Sequence, residues 1–406
     1  MALAAQISGA DSGPVDASAR TLDTEGLQAL LDVLIDDGYE VHGPVVSDGA
    51  IVVRPITSVD ALPCGVGAAH APGRYRLERR EDRARFGWAV GPQAWKPLLH
   101  PARIRTMDIE RHGDDRPFAV TVATGTTARR ALFGVRPCDV AAIGKLDRVL
   151  IERPPTPEPV YADRRTAFIV AVDCNAPAST CFCTSTGTGP HLGGADGEQC
   201  WDLRVTELVA DDPTDEPRYV VRHGTDEGRR VLERVDATVA GSVAPTDDDT
   251  ERVEQARRHA VASIRRSVDA DRLRSALPSA RDWVGWEEVA DRCLACGNCT
   301  AVCPTCFCTS VDDVGDLSGD HVERWRSWSS CFDLEFSRLG DYVRGLPPLQ
   351  CSFTVCTPSP GTPDYQAMQP RIWVDNPHDL HDCMHPLTPT ALPLKEFAHS
   401  FAEQAH

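Results

Sequence analysis

The sequence predicts an N-terminal α/β or α+β domain, then a small cysteine-rich helical domain, then an irregular proline-rich tail. Strand-like apolar segments alternate with amphipathic helical patterns in the first part of the chain. Six cysteines then fall within residues 293–308 (Cys293, Cys296, Cys299, Cys303, Cys306 and Cys308), and sustained periodicity ends near residue 340. We therefore divide the 406 residues into a disordered lead (1–20), an α/β domain (21–245), a cysteine-rich domain (246–340) and a poorly ordered tail (341–406).

The elements of the α/β domain follow from periodicity and turn residues. A leucine stripe between Asp23 and Gly38 predicts a helix that the glycine ends. Strand-like segments follow near residues 50, 118, 131, 167 and 218. The pattern "VAAIGKLDRVL" after Pro137 predicts a further helix. "APTDDDT" is typical of a linker, and "ERVEQARRHAVASIRRSV" after it predicts a helix.

Charge and hydrophobicity exclude several classes of protein. The net charge of −18 and the pI of about 5.1 argue against binding to nucleic acid or to anionic membranes. No apolar run approaches the roughly 18 residues that a membrane span requires, and the N-terminus has no signal-peptide pattern. We therefore expect a cytoplasmic protein. In that reducing compartment its 16 cysteines favour metal ligation over disulfides.

The segment "CLACGNCTAVCPTCFC" carries the most specific motif. Cys293, Cys296, Cys299 and Cys303, followed by Pro304, have the spacing C-x2-C-x2-C-x3-C-P of bacterial ferredoxins. Three thiolates in one turn reach different irons of a cubane, and the fourth points along the chain toward a second cluster. Structural zinc sites usually pair two short cysteine knuckles across a longer loop, which fits poorly. This run predicts a 4Fe–4S cluster in a ferredoxin-like domain.

The spacing does not decide which cysteine is the fourth ligand of that cubane. The chain contains only one such run, so no second run supplies a cysteine in exchange. The candidates for the fourth ligand are Cys303, Cys306, Cys308 and Cys331.

A second cysteine set follows two predicted strands. Cys138 comes after "ALFGVRP" and Cys174 after "AFIVAVD", where ligand sites gather in α/β sheets. Cys181 and Cys183 follow on a loop, within a "TCFCTS" segment that recurs at 305–310. These four cysteines are candidate ligands of a further iron–sulfur site. The alternative is that they are small buried apolar residues, as cysteines often are.

Motifs for catalysis are missing. The chain has no G-x-G-x-x-G fingerprint, no P-loop and no G-x-S-x-G elbow. We therefore expect no catalytic residue in this chain, and catalysis by a partner.

Three separated segments carry a resemblance to a known family. "GVRPCDVAAIGKLDRVL", "DCNAPASTCFCTSTGTGP" and the cysteine run with its continuation to "RWRSWSSCF" resemble the iron–sulfur beta subunit of cytoplasmic NAD(P)-linked nickel–iron hydrogenases, the sulfhydrogenases. The A subunit of anaerobic sulfite reductase is similar. The resemblance covers about residues 40 to 340.

This resemblance implies a non-catalytic electron-transfer subunit. Its partners would be a flavin-bearing diaphorase-like subunit and nickel–iron hydrogenase subunits, with electrons relayed between them. The alternative is the same relay in an anaerobic sulfite or sulfur reductase. An alternative from a different class of function is a zinc-binding protein.

The chain departs from the family after "SCF". The resemblance implies a second C-x2-C-x2-C-x3-C-P run near the C-terminus, and here the proline-rich tail stands instead. A shifted reading frame and a divergent tail both account for this. In either case the ligands expected for a second ferredoxin cubane are missing.

Overall fold

The computed structural model describes residues 18–330 apart from 92–94, 113–115, 123–127, 153–157, 159, 193–199, 281, 295 and 317–319. The predicted tail and Cys331 lie outside these described residues, as does the predicted lead up to residue 17. Across the described part of the chain, no helix combines the length and hydrophobicity that a membrane crossing requires.

The strands in chain order are β1 (Arg20–Leu22), β2 (Tyr39–Ser47), β3 (Ala50–Pro55), β4 (Val66–Ala71), β5 (Arg74–Arg79), β6 (Arg103–His112), β7 (Arg116–Val122), β8 (Arg129–Val135), β9 (Phe168–Val172), β10 (Leu203–Leu208), β11 (Arg218–His223), β12 (Thr309–Gly315) and β13 (His321–Trp328). The α-helices are α1 (Thr24–Asp36), α2 (Lys96–Leu99), α3 (Pro137–Asp147), α4 (Asp226–Thr238), α5 (Asp247–Ser263), α6 (Ala270–Ala276), α7 (Gly285–Asp291) and α8 (Asn298–Val302).

A seven-stranded sheet forms the centre of the N-terminal part, in the order β1-β11-β10-β9-β8-β2-β3. The neighbours from β10 through β9 and β8 to β2 are parallel, and the outer pairs are antiparallel. Leu132 and Phe133 are consecutive in β8 and enter separate apolar cores, one on each face of the sheet. Helices α1 and α4 cover the Phe133 face, and α3 covers the Leu132 face. The predicted α/β class is therefore confirmed for the N-terminal part.

Several predicted elements are confirmed. Helix α1 begins after Asp23, whose carboxylate accepts a hydrogen bond from the Gly26 N–H, and Gly38 follows the helix with a φ of +79°. The segments near 50, 118, 131, 167 and 218 are β3, β7, β8, β9 and β11, and "VAAIGKLDRVL" lies largely in α3.

The linker assigned to "APTDDDT" is wrong at its C-terminal end. Thr246 caps α5, and its hydroxyl accepts from the Asp249 N–H at 3.1 Å. The Asp249 carboxylate in turn accepts from the Thr246 N–H at 3.0 Å. Residues 247–249 form an acidic first turn, which the helix dipole favours, so this acidic segment begins the helix.

A second, four-stranded sheet has the order β12-β13-β6-β7. In it β13 pairs antiparallel with β6, so residues on both sides of position 245 share one sheet. Helix α5 also packs on the central sheet, through Val253 against Leu208 and Val220. The domain boundary at 245 stays a prediction, and these two contacts cross it.

Candidate iron–sulfur sites

The second cysteine set begins at the carboxyl edge of the central sheet. Strand β8 ends at Val135, so Cys138 lies in the first turn of α3. Strand β9 ends at Val172, and Cys174 follows two residues later. Since β8 and β9 are adjacent and parallel, both cysteines lie at the same edge of the sheet.

The loop that carries Cys181 and Cys183 folds back against this edge. The Cys174 N–H donates to the Pro190 carbonyl at 3.0 Å, and the Thr188 N–H donates to the Cys183 carbonyl at 3.1 Å. A Cβ at Gly189 would lie 3.2 Å from the Cys183 sulfur. Glycine therefore allows the loop to pass close to this thiol.

The four thiols influence one another, so the structure brings the predicted set together. Cys138 is exposed, although the protein packed around it, then Asp139 and the other three cysteines, raise its thiol pKa well above the ordinary value. Burial is the largest cause that raises the pKa of Cys174, of Cys181 and, to about 11, of Cys183. Thiols of this kind ionise when a metal binds them, because coordination displaces the proton.

A buried cation lies beside this set. Arg136 is 1% exposed and donates to the carbonyls of Asp173 at 2.8 Å, Phe86 at 2.7 Å and Trp88 at 2.8 Å. Its guanidinium lies 4.4 Å from the centroid of a Trp88 ring. Its charge lowers the pKa of Cys174 against the larger effect of burial. Arg136 is therefore placed to offset the negative charge that a thiolate-bound cluster would bring to this edge.

The ferredoxin-type run forms a loop followed by a short helix. Cys293 follows the end of α7, and Gly297 precedes α8 with a φ of +68°. Cys299 lies in α8, and Cys303 ends that helix. Cys293, Cys296 and Cys299 are exposed.

Three further thiols lie together at the end of the run. Cys303 and Cys306 share a hydrogen bond, and the Thr305 hydroxyl lies 3.2 Å from the Cys303 sulfur. Burial raises the pKa of Cys303, but its hydrogen bonds outweigh burial and lower that pKa below the ordinary value. Burial and Cys303 raise the pKa of Cys306 to about 11. Cys308 is near enough to add to that effect, so three of the four candidate fourth ligands are close together.

The spacing of the sulfurs bears on the kind of metal site. No three cysteine sulfurs of the described residues lie within 4.8 Å of one another. A tetrahedral zinc ion with Zn–S bonds of about 2.3 Å holds its sulfurs roughly 3.8 Å apart. Within the described residues, therefore, no three cysteines already have the sulfur spacing of a single zinc site.

Two buried cations beside the cysteine sets are not marked by any sequence motif. Arg136 and Lys96 are buried cations next to the cysteine sets, and both donate to backbone carbonyls. Such contacts impose no residue type on the partner, so no motif marks them. His321, in contrast, pairs with Asp108 on β6 at 2.6 Å.

Comparison with known proteins supports an iron–sulfur protein. Residues 292–345 match a family model described as a 4Fe–4S dicluster domain. The chain is also 34% identical over 203 residues to sulfhydrogenase 2 subunit beta of Pyrococcus furiosus. The matched region covers 50% of this chain and 54% of that protein. The chain thus spans about half the length of the curated relative it matches. The predicted 4Fe–4S cofactor and the resemblance are confirmed: this chain is an iron–sulfur protein homologous, over half its length, to a sulfhydrogenase beta subunit.

Proposed function

We propose that this chain is a non-catalytic electron-transfer subunit that relays electrons between a flavin-bearing, NAD(P)-linked subunit and a nickel–iron hydrogenase. One observation carries the proposal: two separate cysteine sets, each beside a buried cation, belong to one chain. A relay needs successive redox centres, and the homology to a sulfhydrogenase beta subunit supports this role.

We assign one cubane to the run. Cys293, Cys296 and Cys299 would bind three of its irons, and one of the four candidates would bind the last. Two cubanes require eight thiolates. The segment 292–345 contains seven cysteines: Cys293, Cys296, Cys299, Cys303, Cys306, Cys308 and Cys331. One complete cubane in this segment is therefore the simpler assignment.

We assign a second cluster to Cys138, Cys174, Cys181 and Cys183. A bound 4Fe–4S cluster supplies one-electron transfer at a potential that charge, hydrogen bonds and solvent exposure adjust. At the sheet edge the chain contributes the cation of Arg136 and the close backbone approach at Gly189.

Exposed apolar side chains near the run support assembly with other subunits. Leu294 is 89% exposed, and Trp283, Trp286 and Phe307 are exposed as well. A contiguous exposed apolar patch is typical of a docking surface, and we assign these side chains to such a surface. The same relay could serve an anaerobic sulfite or sulfur reductase, and the subunits that copurify would distinguish the two complexes.

Iron and acid-labile sulfide, measured on the full chain purified without oxygen, test the proposal. We expect about eight irons per chain, four for each of two cubanes. Cys138→Ser and Cys296→Ser should each remove about four irons. Cys64→Ser, a matched control at an exposed cysteine outside both sets, should remove none.

Two results would contradict these assignments. If the wild type contains roughly four irons and Cys138→Ser contains the same number, the assignment of a cluster to the sheet edge is wrong. If the protein contains zinc and no sulfide, the proposed electron-transfer function is wrong.

A further inference from the structure

Lys96 is a buried lysine at the start of α2. The chain has lysines only at Lys96, Lys145 and Lys395, and Lys96 is 3% exposed. Lysine is almost never fully buried unless its ammonium group is paired, because the charge loses its hydration. Its position therefore requires specific partners.

Those partners belong to the cysteine run, more than 200 residues away. The Lys96 ammonium donates to the Thr300 carbonyl at 2.9 Å and to the Cys306 carbonyl at 3.3 Å. These two carbonyls lie on either side of Cys303 in the chain. One ammonium group thus holds the backbone before and after a candidate ligand.

An aromatic side chain completes the surroundings of this ammonium. The Lys96 nitrogen lies 3.9 Å from the centroid of a Trp328 ring, within the range of a cation–π contact. The Trp328 ring N–H donates to His100 Nδ1 at 2.7 Å. Burial lowers the pKa of His100 to about 4, so at neutral pH this imidazole is uncharged and can accept that hydrogen bond.

The charge lies close to three thiols. Burial lowers the pKa of Lys96, while Cys306, Cys303 and Cys308 raise it, which places all three within electrostatic range of the ammonium. Reducing a thiolate-bound cluster adds one negative charge. A nearby fixed cation, poorly screened because it is buried, stabilises the reduced form more than the oxidised form.

We infer that Lys96 is a positioning residue that holds the backbone on both sides of Cys303 and raises the reduction potential of the cluster on the run. The inference rests on the proposed function, since it needs a cluster at that run. The electron comes from an added reductant such as dithionite, and no bond to Lys96 forms or breaks.

The test is a redox titration, followed by EPR, of the full chain purified without oxygen. The variants are Lys96→Gln, which keeps N–H donors without charge, Lys96→Met, and Lys96→Arg, which keeps the charge. Lys145→Met is the matched control, because Lys145 is an exposed lysine in α3. The signal of the run is the one that Cys296→Ser abolishes.

We expect Lys96→Gln and Lys96→Met to lower the ratio of reduced to oxidised cluster about tenfold at a fixed potential, a shift of about 59 mV for one electron. Lys96→Arg should retain the wild-type potential, as should Lys145→Met. Any EPR signal that survives in Cys296→Ser comes from outside the run, and its reduction potential should not change in the Lys96 variants. If Lys96→Met loses the iron of the run, the reduction potential of Lys96→Gln decides the test.

An unchanged potential in an iron-replete Lys96→Gln or Lys96→Met protein would overturn the inference. So would an equal shift in Lys96→Arg, because that variant retains the charge. Failure of the proposed function is distinct from both results, because the wild-type protein would then lack iron and sulfide.

Discussion

The ion pair between Asp173 and Arg204 gives the most direct test of how the sheet edge is stabilised. Asp173 directly precedes Cys174, and its side chain is fully buried. Arg204, on the neighbouring strand β10, is 3% exposed and donates three hydrogen bonds of 3.1–3.2 Å to the Asp173 carboxylate. The Thr206 hydroxyl donates a fourth at 2.6 Å.

Arg204→Met removes the cation and keeps most of the side-chain volume. The Asp173 carboxylate then remains buried with the Thr206 hydroxyl and, at 3.9 Å, the His191 ring nitrogen. Breaking such a pair costs about 3–5 kcal/mol. A typical domain is stable by about 5–15 kcal/mol, so this loss is large. Urea denaturation without oxygen would show it as a lower free energy of unfolding.

A double variant separates the charge from the packing. Arg204→Met with Asp173→Leu removes both charges, and apolar replacement of a buried pair is often neutral or stabilising. The Thr206 hydroxyl loses its acceptor, which costs about 1–3 kcal/mol. The double variant should therefore regain part of the stability that Arg204→Met loses. If the single variant lost less than about 1 kcal/mol, or the double variant regained nothing, the reasoning would be refuted.

Three further predictions concern other parts of the fold. Leu30→Ala in α1, fully buried against the sheet, should lower the free energy of unfolding by about 2–5 kcal/mol in the same denaturation assay, and a smaller loss would mean that the core closes around the cavity. Gly297→Ala should cost about 1–2 kcal/mol and lower the iron content, because its φ of +68° disfavours a side chain, whereas Gly297→Asn should lose less of both. The hydrogen bond that the His321 ring donates to the Asp108 carboxylate raises the pKa of His321. This pair therefore stabilises the fold fully below about pH 6.5 and loses that effect as pH rises through the raised value. Asp108→Asn should return the His321 pKa, measured by NMR titration, toward its ordinary value, and an unchanged pKa would contradict the assignment.

The central strands could be predicted because they are buried on both faces. Strand β9, "FIVAV", is a continuous apolar run of a type that parallel sheets require. Three of the four strands of the second sheet, β6, β12 and β13, were missed for the opposite reason. Strands β6, "RIRTMDIERH", and β13, "HVERWRSW", are rich in charged residues and lack a clear apolar alternation. Their pairing depends on a partner more than 200 residues away, which a local pattern does not record.

The two cysteine sets differed in how far the sequence predicts them. The run is recognisable from spacing alone, since its ligands lie within one turn of chain. Cys138 and Cys174 required a prediction about strand ends, and Cys181 and Cys183 depended on how one loop folds back. Arg136 and Lys96 could not be predicted, because each binds backbone carbonyls that the fold brings near.

The pairing of β6 with β13 has a consequence for the order of synthesis. Arg105 on β6 and Glu323 on β13 are ion-paired at 2.6 Å although they are 218 residues apart in the chain. At about 5–20 residues per second, a ribosome needs roughly 10 to 40 s to make the intervening chain. Until then the edge of β6 that faces β13 has no partner, and unpaired edges promote aggregation. A chain that stops before β13 would therefore lack both the completed sheet and the Trp328 ring that contacts Lys96.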